Sequence, residues 1–333
     1  MNILNRRQLL STAAAAAAGS VLFTPGILRA ATTTLRISTP DSATHVNHSI
    51  LEKFASLVAE RSNGAIAVRI FPDGQLGTIA NALTGMQTGT IDMSVSGASM
   101  AESIVPELGV LGLPFLFSDE AVAEKVIDGE VGQALSAKLS AAGIEVLGWS
   151  TWGWRVTETS KTPIREMEDF EGLKMRLPAG PVFADTFSTL GAIPTVVDST
   201  ELYLAVSQGT VDAFEVPFLS LVGSKWYEVV KYVTRTNHAY NPVWLAISKM
   251  RLQSLPAEQQ TILRDTMNEL QPEWRQAAAS KSSEAEKFIS DQGIEIIEID
   301  TMPFREKLIP VYDRFKQKAG ADLVDKVLAQ VAG

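Results

Sequence analysis

Apolar and polar positions alternate in two rhythms along this chain. A period of two over Thr34-Leu35-Arg36-Ile37-Ser38, and again over residues 65–70, predicts strands; apolar residues at Ile50, Phe54, Leu57 and Val58 predict a helix over 49–61. Turn chemistry follows in Phe71-Pro72-Asp73-Gly74-Gln75-Leu76-Gly77, then a helix to Thr88 and a short strand over 91–95. This β-α-β-α-β order implies right-handed crossovers and a parallel sheet. Residues 121–142 read as one helical stretch and 144–150 as a strand.

A second unit starts after that strand. Residues 172–177 and 192–197 read as strands around a helix, 201–208 as a helix and 211–215 as a strand. The units share one detail: Gln87-Thr88-Gly89-Thr90-Ile91-Asp92 and Gln208-Gly209-Thr210-Val211-Asp212 each end a helix at glycine and lead a β-branched residue and an aspartate into a strand. Two similar α/β units predict two lobes facing a cleft, and ligands of such sheets sit at the carboxyl ends of strands. Residues 256–291 are charged and amphipathic, with no glycine and an internal Pro272. As a helix this segment reaches roughly 50 Å, long enough to brace both lobes. The expected division is 31–152 with about 241–280 in the first lobe, and 153–240 with about 281–333 in the second.

The first 30 residues change the picture of where the chain works. Arg6 and Arg7 precede an apolar run and a Pro25-Gly26 break, and small residues Ala30 and Ala31 follow, the pattern of a cleavable export signal; Asn5-Arg6-Arg7-Gln8-Leu9-Leu10 suggests the twin-arginine route. No other run is apolar for the 18 or so residues a membrane helix needs, so the expected mature form is soluble, without direct membrane insertion. Cleavage after Ala30 removes three arginines and no acids, taking the net charge from −9 to −12. That balance argues against nucleic acid and anionic lipid as partners. Cysteine is absent, which excludes disulfides, thiol catalysis and thiolate metal sites.

Two arginines stand out. Arg176, in Gly172-Leu173-Lys174-Met175-Arg176-Leu177-Pro178, sits between apolar residues at a strand end, and Arg155 follows Trp152-Gly153-Trp154. A strand-end guanidinium in a cleft can grip a carboxylate with two parallel bonds; the structural alternative is pairing with a core acid or stacking on a tryptophan. His45 and His48 have an H-x-x-H spacing, but with no acid or cysteine in the pattern around them a metal site is the lesser reading. No G-x-S-x-G, P-loop or G-x-G-x-x-G occurs, and three histidines leave little for acid–base work, so no enzyme activity and no cofactor are expected.

Longer stretches carry a resemblance. FPDGQLG (71–77), QTGTIDM (87–93), GLPFLF (112–117), WGWR (152–155), FEGLKMRLP (170–178), LGAIPTVVDSTELYLAVSQGTVDAFEVP (190–217), KYVTRTNH (231–238) and SLP (254–256) occur in the order and spacing of the solute receptors of TRAP (tripartite ATP-independent periplasmic) transporters. The chain resembles the C4-dicarboxylate and sialic acid receptor type over essentially its whole mature length. The resemblance implies a two-lobed, type II-like periplasmic binding protein fold, a periplasmic location, a small organic anion as ligand and membrane permease subunits as partners. Carried over position by position, the ligand-carboxylate arginine resembles Arg176 and the second cleft arginine Arg155. The chain departs from its relatives at Glu215-Val216-Pro217, where many have asparagine in the middle, at Thr78-Ile79-Ala80-Asn81, which lacks charge, and near Gly97, where the sialic acid receptor has a glutamate. A less polar pocket follows, which argues against sialic acid.

Further candidates complete the expected site. Glu215 either reads a hydroxyl or ammonium of the ligand or pairs with Arg155 or Lys225; Trp152, Phe214 and Trp244 either wall the cleft or belong to the core; Ser96 and Asn241 are candidate donors, with His45 nearby. Sugar acids, 2-hydroxy or 2-keto acids, sulfonates and zwitterions all remain compatible. The rival function is an exported hydrolase or lyase with Glu215 as base, which lacks a recognisable nucleophile.

Overall fold

The computed structural model describes residues 32–331; the expected export signal lies outside them. The elements run β1 (Thr33–Ser38), α1 (Val46–Arg61), β2 (Ile66–Phe71), α2 (Ile79–Thr88), β3 (Met93–Gly97), α3 (Glu120–Asp128), α4 (Glu130–Ala141) and β4 (Ile144–Thr159). They continue with β5 (Lys174–Leu177), α5 (Pro181–Thr189), β6 (Ile193–Val196), α6 (Leu202–Ser207), β7 (Ala213–Pro217), α7 (Phe218–Gly223), β8 (Tyr232–Ser248) and α8 (Lys249–Gln253). Last come α9 (Ala257–Asp291), β9 (Glu295–Glu298), α10 (Met302–Lys307), α11 (Ile309–Ala319) and α12 (Ala321–Val331).

The strands form one path, β2-β1-β3-β8-β4-β7-β5-β6, with β9 beside β8. Its two ends repeat each other. β1 lies parallel to β2 and β3, and β5 lies parallel to β6 and β7, so each unit is a parallel trio whose strands are joined by crossover connections. The shared sequence detail has a shared geometry: Gly89 and Gly209 close their helices at φ +74° and +71°, a conformation glycine adopts without a Cβ clash. Between the trios run two long antiparallel strands, β4 and β8, which belong to both halves. The expected strand over 144–150 is therefore too short, because β4 continues to Thr159.

The single helix expected over 121–142 is two helices. Gly129, extended at φ −85° and ψ −162°, breaks it, and a Cβ at Gly132 would stand 1.6 Å from the Ile127 carbonyl oxygen. The brace is as expected. α9 buries Leu263, Met267, Leu270 and Trp274 in one core with α1 and β1, then Ala285 and Ile289 in a second core with α6 and α7. Where it crosses the sheet, a bulge in β4 places Gly148 under it; a Cβ there would meet Met267 at 2.6 Å. No helix among the described residues is long and apolar enough to cross a membrane.

Candidate functional site

The carboxyl ends of the parallel strands meet at one cleft, with a cavity of about 70 Å³ against about 10–15 Å³ for a single water. A wider space of about 550 Å³ shares Pro40, Ser199, Ser224 and Trp226 with it and leads outward.

Arg176 reaches the cleft by simple alternation. In β5, Met175 and Leu177 point into the core and Arg176 points the other way, 3% exposed, with Nε donating to the Val197 carbonyl at 2.7 Å. No carboxylate of the described residues lies within ion-pair distance of it. Burial first, and the neighbouring Arg155 charge with it, pull its pKa down to about 10 against the opposing pull of Glu215 and Asp198, so it stays charged at neutral pH.

Arg155 needs a device. Trp152 and Arg155 both line the cleft, although residues three apart in a regular strand face opposite sides. β4 carries an extra residue between Thr151 and Trp154, at Gly153 with φ +103°, and that bulge reverses the parity. Arg155 then lies over the Phe183 ring at 5.1 Å and is gripped by Glu215: Nε donates to Oε2, and Nη2 donates to Oε1 at 2.8 Å and to the backbone carbonyl at 2.6 Å.

A third irregularity, in β8, brings His238 to the same place. Its Nε2 donates to Glu215 Oε2 at 3.1 Å, and its Nδ1 lies in hydrogen-bond contact with Thr236 Oγ1 at 2.8 Å. Burial pushes His238 below the usual imidazole range and outweighs the pull of Glu215. For Glu215, burial opposes ionisation, yet Arg155 and His238 together hold its carboxyl below the usual range. Glu158 is the opposite case. It accepts from Val216 N at 3.1 Å through one oxygen, its other oxygen is buried without a partner, and burial together with the Glu215 charge pushes it well above the carboxylate range. Beneath the cleft, Arg155 and Arg176 are cations and Glu215 is held ionised beside Arg155, while burial opposes the charged forms of Glu158 and His238. Of the two guanidinium groups, Arg155 is paired with Glu215, whereas Arg176 has no carboxylate within ion-pair distance among the described residues.

The remaining sequence candidates fall elsewhere. Phe214 faces a core and packs on Trp226 at 6.4 Å, because it alternates with Glu215; Trp244 is fully buried against Trp149 at 5.2 Å. Neither lines the cleft. Glu215 lies under it, bound to Arg155 rather than to Lys225. Ser96 is buried, with Ser94 Oγ 3.3 Å away. Asn241 is buried beside Gly97 and Trp152 with both amide heteroatoms unpartnered. His45 caps α1 by accepting from Asn47 N at 3.1 Å, and His48 lies 3.6 Å from Glu52. Asp41, Asp198, Ser199, Ser220 and Ser224 line the cleft and were not anticipated. Asp41 and Asp198 follow the carboxyl ends of parallel strands β1 and β6, the place where the strand-end rule directs attention.

Two parallel trios spanned by two shared strands, with a small cleft at the strand ends and an unneutralised guanidinium in its floor, define a two-lobed solute-binding protein. The chain belongs to the family described as bacterial extracellular solute-binding protein, family 7 (DctP), which matches residues 37–318. Among relatives, the 2,3-diketo-L-gulonate-binding periplasmic protein YiaO of Escherichia coli (strain K12) is 33% identical over 297 residues, 88% of this chain and 90% of that one. The C4-dicarboxylate-binding periplasmic protein DctP of Rhodobacter capsulatus is 31% identical over 285 residues, 84% and 85% of the two chains. The crystal structure of the sugar acid binding protein DctPAm from Advenella mimigardefordensis strain DPN7T, in complex with galactonate, superposes with a TM-score of 0.88 at 29% identity, covering 90% of this chain and 98% of that one. The resemblance to TRAP solute receptors is thus borne out, and with it the two-lobed α/β fold.

Proposed function

We propose that the protein is the periplasmic receptor of a TRAP transporter, that it captures a small organic acid by its carboxylate at Arg176, and that it hands this acid to the transporter's membrane permease without chemical change. The observation that carries the reading is the Arg176 guanidinium, buried in the lining of the cleft with no carboxylate within ion-pair distance among the described residues. Arg155 is neutralised by Glu215, whereas Arg176 commits only Nε to a backbone carbonyl and keeps the rest of its guanidinium for a bidentate partner. Glu215 is poorly suited to be the base of a hydrolase or lyase, since its carboxylate is held by Arg155 and His238.

On this reading the lobes are 31–152 with about 241–280, and 153–240 with about 281–333. The hinge lies where β4 and β8 are irregular, beside Gly153. Closure is favoured by whatever extra contacts the ligand makes with both walls. The test is ligand-dependent thermal stabilisation of the chain, freed of carried ligand by unfolding and refolding, against organic acids. Arg176→Ala is expected to weaken binding of the best acid more than tenfold, since removing a buried charge-assisted partner typically costs about 2–5 kcal/mol. An affinity within a few-fold of wild type in a folded variant overturns the reading.

A further inference from the structure

Resting on the reading of the cleft as a carboxylate receptor, we propose that its ligand is a polyhydroxylated monocarboxylate, a sugar acid, and that Asp41 reads the ligand's hydroxyls and rejects a second carboxylate. The cleft is chemically one-sided. Arg155 and Arg176 are the only cations among the described residues lining it, and both rise from β4 and β5. The wall contributed from beyond β1 carries Asp41 and no cation, while Asp198, in the loop after β6, stands on the arginine side next to Val197, whose carbonyl accepts from Arg176.

Asp41 is held in a chain of buried hydrogen bonds. Trp274 Nε1, on α9, donates to Asn47 Oδ1 at 2.7 Å; Asn47 Nδ2 donates to Asp41 Oδ2 at 2.7 Å; Trp152 Nε1 donates to the same oxygen at 3.3 Å. Both donors fall on Oδ2, so Oδ1 is the oxygen left for the cleft, on a residue only 5% exposed. Asp198 is arranged alike: Thr200 N and Oγ1 both donate to Oδ1, at 3.1 and 2.9 Å, which leaves Oδ2. Ser199, Ser220 and Ser224 line the same cleft, and the hydroxyl of Ser199 is buried without a partner.

This lining sorts the possible acids. A dicarboxylate whose first carboxylate is on Arg176 brings its second to a wall that offers the Asp41 carboxylate and no cation, and like charges in contact are repelled at high cost. A zwitterion brings an ammonium that only donates; it suits Asp41 but leaves the serine O–H donors unanswered. A chain of ligand hydroxyls both donates and accepts, so it meets the carboxylates and the serines together. The tryptophans beside them, Trp152 and Trp226, add flat apolar faces for the C–H side of such a chain.

Isothermal titration of the refolded chain with a panel of aldonates and 2-keto aldonates, succinate and β-alanine tests this. At least one sugar acid is expected to bind about a hundredfold or more tighter than succinate, because a like-charge contact is worth several tenfold steps, and tighter than β-alanine, which has no hydroxyls for the serines. Asp41→Asn keeps an oxygen for Asn47 and Trp152 and turns an amide NH2 toward the cleft. It is expected to weaken the sugar acid by tenfold or more and to strengthen succinate, narrowing the ratio from both sides. Tightest binding of succinate or of β-alanine overturns the inference and leaves the carboxylate reading standing. A sugar acid bound equally by wild type and Asp41→Asn overturns the role of Asp41. Binding of no acid at all overturns the carboxylate reading and this inference with it. If Asp41→Asn does not fold, the order of the acids on the wild-type chain still decides the inference.

Discussion

Removing Glu215 leaves the Arg155 guanidinium buried with a backbone carbonyl and the Phe183 ring but no carboxylate to meet it; the side chains are 2% and 0% exposed. Breaking a buried pair by deleting one partner costs about 3–5 kcal/mol, a large part of the roughly 5–15 kcal/mol that holds a protein folded. Glu215→Leu should therefore lose about 4 kcal/mol, and Arg155→Met, which strands Glu215 with His238 alone, a similar amount. The double variant is the informative one. With both charges gone no charge is left uncompensated, and the main remaining defect is His238 Nε2–H without an acceptor, worth about 1–3 kcal/mol. The double variant should then be more stable than either single one, with a coupling energy of at least about 2 kcal/mol. Urea unfolding of the ligand-free chain, followed in parallel by far-UV circular dichroism and by the fluorescence of its six tryptophans, gives the four free energies. Costs that add within about 0.5 kcal/mol would show that the two groups do not depend on each other and would refute the charge balance drawn for the cleft floor.

That balance could not be read from the sequence, although its members could. Arg176 was legible because a cation between Met175 and Leu177 in a four-residue strand has one face to go to. Glu215 was legible as a strand-end acid but not in its role, since ligand contact and pairing with Arg155 differ only in cross-strand register. Thr157 pairs with Glu215 and Arg155 with Pro217, and nothing local announces it. Of the aromatic candidates, Trp152 lines the cleft, whereas Phe214 alternates with Glu215 in its strand and faces a core.

The parallel trios were legible because local signals agreed: period-two runs, helical spacing, and glycines where helices end. The long central strands were not. Trp152-Gly153-Trp154 breaks the alternation of β4 at the bulge that lets Trp152 and Arg155 share a face, so the strand read as ending at Ser150. β8 contains Pro242, which argues against a central strand, yet it stands opposite Thr151 at the edge of that bulge, where a missing N–H is tolerated. The features that hid the strands from pattern reading are the ones that shape the site.

Gly132→Ala should destabilise the chain by about 1–3 kcal/mol or more, because the added methyl meets the Ile127 backbone and cannot be relieved by a side-chain rotation. Gly172→Ala, at φ +72° with open space around it, should lose only about 1–2 kcal/mol, and equal losses in urea would refute the role given to the α3–α4 junction. Glu158→Gln addresses the buried proton. Burial, and after it Glu215, raise the Glu158 carboxyl well above its ordinary range, whereas in the unfolded chain it ionises near about pH 4.3. Above that pH the unfolded state has released a proton the folded state keeps. This group's favourable contribution is thus fully present below about pH 4.3 and declines as pH rises toward its folded value, by at most about 1.4 kcal/mol per pH unit. Glutamine has no proton to lose. The stability of Glu158→Gln relative to wild type should accordingly rise from pH 5 to pH 8 in parallel urea titrations. A difference that stays flat across that range would mean that Glu158 is ionised in the folded protein, and would refute the burial-driven shift argued for it beside Glu215.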